Sequence, residues 1–169
     1  MMVHQFHSGT AIGDAVTNQM LLIRKELIKM GYSASEIYAE YIDERLKEQI
    51  KPFSGYRGNK DDILIIHHSM GITEKSFQKI QSLPNRKVLI YHNITPEKYF
   101  DDQYIINAIR NGLRQVSEYT QHFDYLIAAS NFNRRDLIHL GSKDSIDVLP
   151  VHISLDRFDN IKIYTNLFE

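Results

Sequence analysis

Short apolar runs alternate with longer amphipathic stretches along most of this chain. The runs are bounded by Gly, Pro, Asn or Ser, a pattern that predicts strands over residues 3–7, 33–41, 62–68, 86–92, 123–129 and 144–149. Apolar residues at helical spacing predict helices over residues 16–30, 73–83, 103–120 and 131–140. This alternation of strand and helix is typical of a parallel sheet covered by helices.

The predicted fold class is therefore α/β, a Rossmann-like doubly wound parallel sheet. Residues 1–150 are expected to form one domain, which suits a chain of 169 residues. Pro52 and Gly55 favour a loop over residues 46–56. Residues 151–169 have no clear period, so we expect a linker or a segment that docks elsewhere.

The first long helix has one apolar face, and its end is marked. Gly31 is expected to be the C′ residue that ends the helix. The apolar face, which should pack on the sheet, is formed by Val16, Met20, Ile23, Leu27 and Met30.

Composition excludes several classes of protein. The chain has no cysteine and a formal net charge of −1. Disulfides and thiolate metal sites are thus excluded, and the net charge gives no attraction for nucleic acid. No apolar run approaches the ~20 residues that span a bilayer, and no secretory signal opens the chain. We expect a cytoplasmic protein.

Histidines recur where predicted strands meet their loops. The runs VHQFHS, DILIIHHS and KVLIYHN end near His7, His68 and His92, and ligands of open α/β sheets bind at this edge. His92 is the strongest candidate, because an imidazole there could bind a sugar hydroxyl or phosphate oxygen, or stabilise a developing charge. His67 and His68 must point to opposite faces; His68 is nearer the loop and is expected to face the site, with His67 packed.

The turn over residues 8–14 precedes the first helix and carries Gly9 and Gly13. Free N–H groups and the helix dipole favour an anion there, although the turn is neither GxGxxG nor a P-loop. Asp14 is either the N-cap of the helix or an acceptor for a substrate hydroxyl, and the sequence leaves both open.

Polar residues also follow the fourth and fifth predicted strands. Asn93 lies in the turn after His92, and Ser130 is placed to N-cap the last helix. Asn133 and Arg134 either form a solvated helix start or reach a substrate across the sheet edge.

Four segments together resemble the N-terminal domain of bacterial GT-B glycosyltransferases of the retaining group 1, or family 4. They are HQFHSGTAIGDAVTNQMLLIRKELIKMGYSASEIYAE, DILIIHHSMG, KVLIYHNITPEKYF and AASNFNRRDL. The combination of GDAV, YHNITP and NRRDL is more specific than any one of them. The resemblance covers residues 4–150.

The resemblance implies a hexose transferase for polysaccharide biosynthesis that needs no cofactor or metal beyond its nucleotide-sugar donor. A second, donor-binding domain is expected beyond Glu169, so the chain alone should be inactive. By the resemblance, His92 is the catalytic residue that faces the transferred sugar, and Gly9 and Gly13 approach the donor diphosphate. A glycan or lipid-linked acceptor would contact Asp14, His68, Asn93, Ser130, Asn133 and Arg134.

Peripheral association with the inner face of the cell membrane and a homodimer of the fragment are further expectations. Two other classes stay open. One is a stand-alone flavodoxin-like binding or regulatory domain without catalysis. The other is a hydrolase or metal enzyme that uses the histidines, although no HxH or HExxH spacing supports a metal.

Overall fold

A computed structural model describes residues 1–32, 35–142 and 145–152. In these residues, the strands are β1 (Val3–Thr10), β2 (Ile37–Ile42), β3 (Ile50–Pro52), β4 (Ile63–His68), β5 (Arg86–Tyr91), β6 (Tyr125–Ala128) and β7 (Ile146–Val148). The α-helices are α1 (Ala15–Lys29), α2 (Glu74–Ser82), α3 (Gln103–His122) and α4 (Asn131–His139).

All seven strands are parallel and lie in the order β3-β2-β1-β4-β5-β6-β7. The chain winds outward from β1 in one direction to β3 and then in the other direction from β4 to β7. The predicted Rossmann-like doubly wound α/β fold is thus confirmed. The direction changes between β1 and β4, and the crevice at such a switch point is where these sheets bind ligands.

Two apolar clusters cover the two faces of the sheet. Val16 and Met20 of α1 pack against Ile37 and Ala39 of β2 on one face. The larger cluster joins alternate residues of β4, β5 and β6 to α2, α3 and α4 on the other face, and includes Leu64, Ile66, Phe77, Leu89, Val116, Leu126 and Leu137. A parallel sheet buried in this way requires apolar residues on both faces.

Two strands differ from the sequence expectation. β1 continues to Thr10, because Gly9 and Thr10 pair with Tyr41 and Ile42 of β2. The loop expected over residues 46–56 contains β3, a three-residue edge strand that ends at Pro52. Proline is tolerated at an edge, where its missing N–H is not needed by a second neighbour.

Side-chain caps fix the starts of the four helices. Asp14, Thr73, Asp102 and Ser130 each accept a hydrogen bond from a backbone N–H of the first turn. The N-cap role of Ser130 is confirmed.

The end of α1 forms as predicted, and its predicted apolar face packs in part. Gly31 has a φ of 93°, and Tyr32 N–H donates to Leu27 O at 2.9 Å, so α1 ends in a Schellman motif. The expected packing face of α1 reaches only its N-terminal half, since Met30 is 71% exposed.

The loop after β4 is pressed directly against α3. Gly71 N–H donates to Ala108 O at 3.2 Å. A Cβ on Gly112 would lie 2.7 Å from Gly71 N, so this contact requires glycine at both positions. It fixes the chain that leaves the carboxyl end of β4.

Parts of the sequence predictions fall outside the described residues. These parts are residues 33–34 of the second strand, residues 143–144 near the last strand, and all but residues 151–152 of the expected linker. In the described ranges, no helix combines the length and apolar character needed to cross a membrane.

Candidate functional site

A cluster of histidines lies at the switch point of the sheet. His7 belongs to β1, His67 to β4, and His92 follows β5 directly. β1 pairs with β4, and β4 with β5, so three neighbouring strands bring these imidazoles to one edge. We call His7, His67 and His92 the histidine cluster.

Within this cluster, His92 and His67 are joined to a buried glutamine. His92 Nε2 lies 2.9 Å from His67 Nδ1, and His67 Nε2 lies 3.0 Å from Gln5 Oε1. Gln5 Nε2 in turn donates to Met20 O at 3.0 Å. The rings of His67 and His92 are nearly parallel, with centroids 5.2 Å apart. A continuous hydrogen-bonded chain therefore runs from α1 through the sheet to its carboxyl edge.

Burial keeps these imidazoles neutral. It lowers the pKa of His67 well below its usual 6.5, with further lowering by His92 and His7. Burial also lowers the pKa of His92 to about 4, although the nearby Asp14 carboxylate opposes the change. At neutral pH both rings therefore have one protonated and one unprotonated nitrogen.

His92 Nδ1 is the end of this chain of hydrogen bonds. The atom is shielded by the protein and has no hydrogen-bond partner among the described residues. Other buried polar atoms, such as His68 Nδ1 and Tyr119 OH, also have no partner in the described residues, so what distinguishes His92 Nδ1 is its position at the sheet edge where such folds bind ligands.

The third imidazole of the cluster holds the loop after β4. His7 Nε2 lies 2.9 Å from Ser69 Oγ, and His7 Nδ1 contacts Gly9 O. Nδ1 also lies 3.3 Å from Gly9 N, but the contact with Gly9 O is the shorter one. Because a carbonyl can only accept, that contact requires the proton on Nδ1, and Ser69 O–H then donates to Nε2. Burial lowers the pKa of His7, so this arrangement persists at neutral pH.

The glycine turn is arranged differently from the expectation. Gly9 lies inside β1 and pairs with Tyr41 of β2, so it is not part of a loop that could wrap a diphosphate. Gly13, at a φ of 85°, does lie in the turn before α1.

Asp14 is the N-cap of α1. Its Oδ2 accepts from Thr17 N at 2.7 Å and from Thr17 Oγ1 at 2.8 Å. The same carboxylate partly opposes the lowering of the pKa of His7 and of His92 by burial, so its charge acts on the cluster. Asp14 is thus a cap that also faces the site, so the two interpretations of the sequence are compatible.

Both adjacent histidines are buried, as expected for His67, but it is His67 and not His68 that lies beside His92. His68 is 1% exposed, and its Nε2 lies 3.0 Å from Gly112 O of α3. Its ring also meets Tyr119 edge-on. His68 therefore packs under α3, and His67 is the one that contacts His92. The placement of His68 at the site is corrected on this geometry.

Ser130 and Asn133 stabilise the start of α4. Ser130 Oγ accepts from Asn133 N at 3.1 Å. Asn133 is 6% exposed, and its Nδ2 donates to Tyr91 O at 3.4 Å. Both follow β6, three strands from β1, or about 14 Å at ~4.8 Å per strand. They border the His92 side of the crevice and not its centre.

The last two predicted residues differ in position. Arg134 is exposed on α4. Asn93 follows His92 and adopts a φ of 84°, a left-handed conformation that asparagine tolerates better than most residues. At Asn93 the chain therefore turns out of the direction of β5, so that His92 is the last residue before the turn at this edge of the sheet.

Two further observations concern metal ligands and a pocket at this edge. In the described ranges no group of three His, Asp or Glu side chains is arranged to hold a metal. A pocket of about 450 Å³ lies beside the carboxyl ends of β2 and β3, and Arg57, Lys75 and Lys79 line it. None of the predicted site residues lines this pocket.

Sequence reasoning missed Gln5 and Ser69 and assigned His67 to packing. Gln5 is 0% exposed in a central strand, and a glutamine between Val3 and Phe6 in a predicted buried strand was the available signal, because buried amides need partners. Ser69 follows His68 in the sequence, but only the pairing of β1 with β4 brings it to His7.

Comparison of the chain with models of known protein families and with curated protein sequences found no match.

Proposed function

We propose that this chain is the acceptor-side domain of a retaining sugar transferase that takes a hexose from a nucleotide-sugar. The observation that carries the proposal is the place of His92 Nδ1, a shielded nitrogen that no other described residue bonds, at the switch point of a Rossmann-like sheet. Such an atom suits a hydroxyl of a transferred sugar. The motifs GDAV, YHNITP and NRRDL give independent support through their resemblance to family 4 transferases.

The proposed roles follow the geometry of the crevice. His92 contacts the transferred sugar. Gly13 and the first N–H groups of α1 face the donor diphosphate, because the first residues of a helix have no acceptors within it. The Asp14 carboxylate accepts a hydrogen bond from a hydroxyl group of the sugar donor or of the acceptor substrate. A second domain beyond Glu169 supplies the remaining donor contacts.

The acceptor is proposed to be a glycan or a lipid-linked glycan. The pocket with Arg57, Lys75 and Lys79 opens on the same edge of the sheet. Its three cations outnumber the one carboxylate that also lines it, Glu40, which suits the phosphate groups of a lipid-linked acceptor. Association with a membrane surface stays a prediction.

The first experiment reads the gene beyond the codon for Glu169. A frame that continues into a second α/β domain supports the proposal, and the full-length product is then assayed. The assay measures nucleoside diphosphate released from UDP-glucose, UDP-N-acetylglucosamine and GDP-mannose. A stop codon at this point leaves either a transferase assembled from two chains or a binding domain without catalysis.

The variant His92→Ala tests the site itself. We expect the rate of diphosphate release to fall about 100-fold, the size typical when one preorganised contact to a transition state is lost. His139→Ala is the matched control, because His139 is exposed on α4 and should keep the wild-type rate. Equal rates for the two variants would exclude His92 from the reaction.

The contact between Ser69 and His7 favours a second candidate, a hydrolase with Ser69 as nucleophile and neutral His7 as base. The 2.9 Å separation of Ser69 Oγ and His7 Nε2 suits proton transfer. Treatment with a fluorophosphonate probe, which labels activated serines covalently, tests this candidate. If Ser69 is a nucleophile, the wild type should be labelled and Ser69→Ala should not. An unlabelled wild type removes it.

A further inference from the structure

The orientation of the Gln5 amide is set by a backbone group. Gln5 Nε2 lies 3.0 Å from Met20 O, and a carbonyl oxygen can only accept a hydrogen bond. Gln5 therefore turns its Oε1 toward His67. Since Oε1 also can only accept, His67 Nε2, 3.0 Å away, carries the proton of that ring.

This proton determines the next one along the chain of hydrogen bonds. His67 is 2% exposed and neutral, so a proton on Nε2 leaves Nδ1 with a lone pair. His92 Nε2 lies 2.9 Å from that lone pair and must donate to it. A neutral His92 with its proton on Nε2 has its own lone pair on Nδ1, the atom that has no partner in the described part of the chain.

We infer that Gln5 and His67 are positioning residues that hold His92 as the Nε2–H tautomer, so that Nδ1 presents a lone pair to a hydrogen-bond donor of the ligand. The fitting partner is a sugar hydroxyl, which has a proton to donate to this lone pair. An unprotonated phosphate oxygen has none, so its lone pair and that of Nδ1 would repel each other. The choice of a sugar hydroxyl rests on the proposed function. The tautomer does not.

A purely structural role does not require these two residues. A buried polar pair with satisfied hydrogen bonds is on average no more stabilising than an apolar pair of the same shape. β4 is apolar up to His67, and Phe6 follows Gln5 in β1, although histidines also lie near the glutamine. What the polar pair adds is a directed chain of protons that ends at the sheet edge.

The test is long-range ¹H–¹⁵N correlation spectroscopy of the histidine-labelled protein at pH 7.5, without ligand. The spectrum reports which ring nitrogen carries the proton. We expect both His67 and His92 as Nε2–H tautomers. A His92 that carries its proton on Nδ1 overturns the inference by this measurement alone.

The variant Gln5→Met tests the positioning role. Without Oε1 nothing selects the His67 tautomer, so His92 should change from one tautomer to a mixture of both. Gln115→Met is the matched control, because Gln115 is also 0% exposed but bonds the backbone of Ile72 instead. A folded Gln5→Met protein whose His92 remains entirely Nε2–H refutes the role.

If Gln5→Met does not fold, His67→Leu gives the same readout, since it removes the acceptor of the His92 proton. The spectra require no turnover, so they separate this inference from the proposed function. If the protein shows the predicted tautomers but transfers no sugar, the positioning role stands and the assignment of a sugar hydroxyl as the ligand group is rejected.

Discussion

His68 allows the energetic cost of a buried imidazole to be measured against pH. Its ring is 1% exposed and donates to Gly112 O. Burial lowers its pKa from 6.5 to about 4. As the pH falls below about 6.5, the unfolded chain binds a proton that the folded protein resists until about pH 4, so the free energy of unfolding decreases over this window.

These two pKa values set the size of the effect. Between pH 7.5 and pH 5.0, linkage gives a loss of about 2 kcal/mol from His68 alone. His67 and His92 act in the same direction, because burial lowers their pKa too, so the wild type should lose more than this. The variant His68→Gln keeps a donor for Gly112 O but cannot titrate, and its loss should be smaller than that of the wild type by about 2 kcal/mol.

The assay is urea denaturation of both proteins at pH 7.5 and pH 5.0, with unchanged m-values as the check for two-state unfolding. His139→Gln is the control and should follow the wild type, since water solvates this exposed side chain in both states. Equal losses in His68→Gln and wild type would refute the reasoning, because they would mean that His68 accepts its proton as readily folded as unfolded.

Two further predictions concern the backbone around the site and use the same denaturation measurement. Asp14→Ala removes the acceptor of Thr17 N–H and should lower the free energy of unfolding by about 1 kcal/mol; an unchanged value would contradict the cap. Gly112→Ala places a Cβ 2.7 Å from Gly71 N and should cost about 3 kcal/mol. Gly13→Ala meets no atom within 4 Å but keeps a φ of 85°, so its cost should be only about 1 kcal/mol. Equal losses for Gly112→Ala and Gly13→Ala would show that the close approach of Gly112 to Gly71 is not rigid.

The hydrophobic pattern predicted the fold class because each element carries its own signal. The run DILIIHH is apolar on both faces, as a central parallel strand must be. Ser130 and Gly31 mark helix ends through local hydrogen bonds and backbone conformation, which depend on few distant contacts. β3 was missed because three residues ending in Pro52 carry no period.

The sequence predicted that His92 lies at the carboxyl edge of the sheet but not which residues surround it. His92 lies at the sheet edge as expected, since a strand end is a local feature. Gly9 was expected in a loop, and only its pairing with Tyr41 of β2 makes it part of β1. Ser130 and Asn133 lie toward the periphery of the crevice, because the strand order sets β6 three positions from β1.

The sequence by itself determined that His67 and His68 point to opposite faces, because the side chains of a strand alternate. It could not determine which of the two side chains faces the site and which faces a covering helix, since both faces of β4 are apolar and neither is marked as the solvent side. Only the tertiary structure decided this, by placing Gln5 of β1 beside His67 and Gly112 of α3 against His68. Hydrogen bonds between residues 62 and 44 positions apart depend on strand register and helix docking, which no local pattern specifies.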